Sequence, residues 1–69
     1  MGKDNYLGRI ERGVVKEVTA DGYIIASLDR DGITTPPILS AYQNMTFEVG
    51  EKVYFFYFND GTGRILCGL

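Results

Sequence analysis

Apolar residues along the chain fall in short blocks, and each block is closed by a turn that carries glycine or proline. Arg9 to Thr19 holds the β-branched residues Ile10, Val14, Val15, Val18 and Thr19, which predicts a strand. Val15 and Val18 are three apart. That spacing breaks the two-residue alternation of a strand, and a bulge near Gly13 or Lys16 would account for it. Asp21-Gly22 between two apolar runs predicts a hairpin. Tyr23 to Asp29 is the second strand, with Ile24, Ala26 and Leu28 on one face and Tyr23, Ile25 and Ser27 on the other. Arg30-Asp31-Gly32 repeats the turn signal. Ile33 to Leu39 reads as a third extended segment; Pro36-Pro37 cannot donate to a ladder, so it is an edge strand or ends there.

Ser40 to Thr46 has no clear period and reads as a loop or one helical turn. Val49-Gly50-Glu51 turns the chain into the strongest strand, Lys52 to Phe58. Asn59 to Gly63 is another turn, and Arg64 to Leu69 is the last strand. No segment keeps a helical period over three turns. The expectation is an all-β domain over residues 9–69, a small five-stranded OB-like or SH3-like barrel with little or no helix. Residues 1–8, polar and with two glycines, read as a flexible N-terminal lead.

The strand Val-Tyr-Phe-Phe-Tyr-Phe departs from the usual pattern. Val53, Phe55 and Tyr57 make one face; Tyr54, Phe56 and Phe58 make the other. Both are apolar, yet a barrel of this size has one interior. With Val53 aligned to the core, Tyr54, Phe56 and Phe58 point outward. That face must stack bases, be covered by the 40–46 loop with Tyr42, Met45 and Phe47, or pack on another subunit.

Composition narrows the choice. With 69 residues, the core is marginal on its own. One cysteine excludes an intrachain disulfide, and the lack of histidine argues against a zinc site. Idealised packing or oligomerisation is the remaining device. The net charge of −2 disfavours a phosphate-gripping protein. No apolar run is long enough to span a membrane, and no signal-peptide core is present at the N-terminus, so the expected site of synthesis is the cytoplasm.

No catalytic, metal or cofactor site is expected. The carboxylates, Glu11 among them, read mostly as solvated charges in turns or on solvent faces. Cys67, in an Ile-Leu-Cys run without a histidine base, reads as a small buried hydrophobe. Gly61-Thr62-Gly63-Arg64 lacks the P-loop lysine and precedes a strand, so it reads as a hairpin turn.

Several stretches taken in order carry a resemblance: Gly13-Val14-Val15, Ile24-Ile25-Ala26-Ser27-Leu28, Thr34-Thr35-Pro36-Pro37-Ile38-Leu39, Glu48-Val49-Gly50-Glu51-Lys52-Val53-Tyr54-Phe55-Phe56 and Arg64-Ile65-Leu66-Cys67-Gly68-Leu69. Over about residues 10–69 the chain resembles the OB-like domain of phage baseplate assembly protein V and related tail-spike proteins. The resemblance implies an OB-like barrel, a homotrimer at a contractile tail tip, other tail proteins as partners, and a place in the bacterial cytoplasm during assembly and in the virion tail afterwards. It departs from the spike pattern in lacking a following β-helix and a histidine metal motif. The expected role is a structural assembly module that oligomerises through Tyr54, Phe56 and Phe58. The alternative is an OB-fold binding single-stranded nucleic acid in a groove with Tyr23 or Tyr54, Arg12, Lys16 and Lys52.

Overall fold

Five strands follow in chain order: β1 (Glu11–Thr19), β2 (Gly22–Ser27), β3 (Leu39–Ser40), β4 (Lys52–Tyr57) and β5 (Gly63–Gly68). They come from a computed structural model that describes residues 9–58 and 60–69. The expected lead at 1–8 lies outside the described residues. Among the described residues there is no helix.

The strands form one sheet in the order β2-β1-β4-β5-β3. β1 pairs antiparallel with both β2 and β4, β4 pairs antiparallel with β5, and β3 runs parallel to β5. The β1–β2 register slips between Val15 and Glu17, which places a bulge at Lys16, one of the two expected positions.

The turns follow from their residues. Asp31 (φ 58°) and Gly32 (φ 78°) both have positive φ, and the Ile33 N–H donates to the Arg30 carbonyl at 3.2 Å. Positive φ at both central positions is the mark of a type I′ turn, which suits Asp-Gly. At 48–51 the Glu51 N–H donates to the Glu48 carbonyl at 3.1 Å, and Gly50 takes φ 95° at the third position. A type II turn asks for glycine there. This turn is tied to the sheet, because Gly50 N–H donates to the Val15 carbonyl and Val15 N–H to the Glu51 carbonyl.

The extended segment Ile33–Leu39 is not a full strand. Only Leu39–Ser40 pairs as one, and isolated bridges at Ala26–Thr34 and Tyr23–Ile38 join the rest to β2. Pro36 and Pro37 lie between the bridges and supply no N–H. Thr35 compensates: its hydroxyl accepts the Ile25 N–H at 3.1 Å, and its own N–H donates to the Ile25 carbonyl at 2.9 Å. The expected barrel is therefore not a closed ladder; the ends of the sheet are linked by bridges alone.

Val15, Ile25, Ile38, Phe47, Val53, Phe55 and Ile65 form the core. Gly13 stands at a crowded point of the sheet. A Cβ there would collide with Ile25 Cγ2 and lie 2.8 Å from Phe55 Cε1. One end of the core is capped by Phe47, whose ring meets Tyr23 edge-on at 5.8 Å, and Met45 packs against the same cluster. Near Phe55, Glu11 is buried at 5% exposure. The Arg30 guanidinium grips it with Nη2–Oε2 at 2.6 Å and Nε–Oε1 at 3.0 Å, and the Ser27 hydroxyl donates to Oε1 at 2.8 Å. The reading of Glu11 as a solvated charge is corrected here. It shares the inward phase of Gly13 and Val15, and its charge is tolerated because it is fully paired.

The exposed aromatic face of β4

β4 alternates as its sequence demands: Val53 and Phe55 are fully buried, while Tyr54 is 37% exposed. Phe56 is half-buried and Phe58, just past the strand, is 44% exposed. Phe56 and Phe58 rings touch, with centroids 5.4 Å apart and planes tilted by 59°. The three expected residues thus lie along the side of β4 turned away from the core.

The 40–47 segment does not cover this face. Phe47 belongs to the core, Met45 packs on it, and Tyr42 is exposed. The Phe47 N–H donates to the Tyr23 hydroxyl at 3.2 Å, and the Ser40 hydroxyl donates to the Met45 carbonyl at 2.6 Å, which hold the segment over the core. A cleft of about 290 Å³ opens beside it, lined by Tyr23, Leu39, Tyr42 and Met45 together with uncharged polar residues.

Directly opposed residues share a face of a sheet. Tyr54 is opposed by Arg12 on β1 and Cys67 on β5, and Phe56 by Arg64. Lys52, two residues before Tyr54, lies on the same side, opposite Val14. An aromatic strip therefore runs between basic residues. Arg12 is held by Asp29: Nη2–Oδ1 is 2.6 Å, and the Arg12 backbone N–H donates to Oδ2 at 2.9 Å. These hydrogen bonds lower the Asp29 carboxyl below its ordinary value and raise the Arg12 guanidinium. At the far end of β4, Asp60 accepts from the Thr62 N–H at 3.0 Å and from its hydroxyl at 2.7 Å, which lowers its carboxyl too.

Cys67 is exposed, contrary to the expected burial. The β4–β5 register slips between Tyr54 and Phe55, so Phe55 opposes Ile65 while Tyr54 opposes Cys67. The extra residue, Leu66, reverses the phase after Ile65 and turns the thiol to the aromatic side.

The residues of the alternative groove are gathered only in part. Tyr23 leans on Phe47 and the core, on the opposite side of the sheet from Tyr54. Lys16 sits at the bulge, and the charge of Arg12 is answered by Asp29. Arg12, Lys52 and Tyr54 do share one side.

Among the described residues, no group of three or more potential metal ligands comes together, and no helix is long and apolar enough to cross a membrane. Comparison of the chain with family models, with curated proteins and with solved structures finds no match.

Proposed function

We propose that the chain is a structural assembly module of a phage or prophage contractile tail, in the baseplate or spike, and that it self-associates through Tyr54, Phe56 and Phe58. The observation that carries self-association is the destination of the 40–47 loop. Its Phe47 belongs to the core and its Tyr42 is exposed, so the outer strip of β4 remains partly exposed. Aromatic residues are enriched at the centres of protein interfaces.

The tail assignment rests on the sequence resemblance. The strand neighbours lend it support: counting the bridges, β2 adjoins the segment that leads into β3, β3 lies parallel to β5, and β5-β4-β1 returns to β2. A partly open ring of five strands is what an OB-like domain requires.

Light scattering after size-exclusion chromatography tests the reading. The expected mass is that of a trimer, and Tyr54→Glu combined with Phe56→Glu should give folded monomers. A trimer that survives both substitutions refutes this interface. A monomeric wild type refutes self-association, and titration with a single-stranded oligonucleotide at low salt then tests the alternative.

A further inference from the structure

The charges around the aromatic strip bear on how it meets its partner, given the self-association proposed above. Arg12, Lys52 and Arg64 flank the strip, and Asp29 neutralises the first. Among the described residues, no carboxylate pairs with the other two cations, which lie beside Tyr54 and Phe56. An isologous contact lays a patch on its own copy. It would set Lys52 and Arg64 close to the same cations of the second protomer, and like charges brought together at an interface are unfavourable.

A patch of opposite sign lies at the turn that leads into β4. The turn 48–51 is hydrogen-bonded to β1 at Val15, so Glu48, exposed Val49 and Glu51 sit beside the end of β1 that carries exposed Glu17. Lys16 is the one cation in that stretch of β1. Three carboxylates therefore outnumber it.

We infer that the aromatic face of one copy docks on the 48–51 turn and the adjoining end of β1 of the next copy. Val49 meets the rings, and the carboxylates meet Lys52 and Arg64. Such a contact is head-to-tail and closes into a ring when its rotation permits. A trimer is one such ring.

The experiment is a charge swap on the full chain, read by light scattering across a dilution series. Arg64→Glu and Glu48→Arg should each weaken association by about tenfold or more, and the double variant should regain most of it. Lys52→Glu is the second probe of the basic side, in case Arg64→Glu perturbs β5; circular dichroism checks each fold. A trimer unchanged by every single swap overturns the head-to-tail assignment while leaving the aromatic interface standing. A wild type monomeric throughout overturns both.

Discussion

Replacing Arg30 by methionine isolates the most buried ion pair among the described residues. Glu11 is 5% exposed and accepts two guanidinium hydrogen bonds and one from Ser27. The substitution keeps an apolar stem of similar length and removes both charged donors. A buried carboxylate stripped of its partner costs about 3–5 kcal/mol. The Arg30 side chain is itself 23% exposed, so water can partly replace it and the lower end applies, about 3 kcal/mol. Domains carry roughly 0.05–0.15 kcal/mol per residue, or about 3–10 kcal/mol for a chain of this length. The variant should therefore lose between a third and nearly all of its stability. Urea unfolding followed by circular dichroism reads this directly. With a slope near 1 kcal/mol per molar, the midpoint should fall by about 3 M. Arg12→Met is the control, since its pair with Asp29 is largely exposed, and it should barely move the midpoint. Combining Arg30→Met with Glu11→Leu should recover most of the loss, because no buried charge is then left unpaired. A loss below about 1 kcal/mol in Arg30→Met, the range of surface pairs, refutes the reasoning.

Other parts of the structure give independent tests. Gly13→Ala forces a methyl group against Ile25 and Phe55 and should destabilise by about 1–3 kcal/mol in the same urea assay; an unchanged midpoint contradicts the crowding. Asp29 has a folded pKa below its ordinary value of 3.8, so its contribution is present above that value and is lost as pH falls through the folded pKa. Acid titration of the thermal midpoint should therefore show a shallower decline in Asp29→Asn than in wild type, and parallel curves count against the pairing. Cys67 reports on the aromatic face, since it opposes Tyr54. A thiol reagent should modify it slowly in the assembled protein and rapidly in the Tyr54→Glu, Phe56→Glu variant; equal rates place the interface elsewhere.

Much of this arrangement is written in local pattern. The run Lys52–Tyr57 announces a strand, and Val53 in phase with Phe55 identifies its inner face. Gly50 and Asp31-Gly32 mark turns because few other residues tolerate their φ values. What escapes local pattern depends on register. Cys67 looks buried beside Ile65 until the extra residue at Leu66 is counted, and bulges leave no clear signature in an apolar run. Glu11 looks solvated because acidic residues usually are, though its phase with Gly13 and Val15 was a signal that it faced inward. Ile33–Leu39 contains strand formers, but the two prolines reduce its pairing to bridges. The choice between the outer strip and the core for Phe47 is a tertiary matter, settled by Tyr23, which offers both a ring and a hydroxyl.

The two sides of β4 lead to a consequence for folding itself. The inner side is fully used by a core of few residues, whereas the outer strip contributes little to an isolated monomer while it faces water. A domain this small has little stability to spare. If copies associate through that strip, association binds the native state alone and raises its apparent stability by mass action. The thermal midpoint should then climb with protein concentration in the wild type. It should be independent of concentration in the Tyr54→Glu, Phe56→Glu variant, although the core of that variant is untouched. Differential scanning calorimetry over a dilution series checks this. A wild-type midpoint that does not move with dilution means the outer strip adds nothing to the fold through self-association.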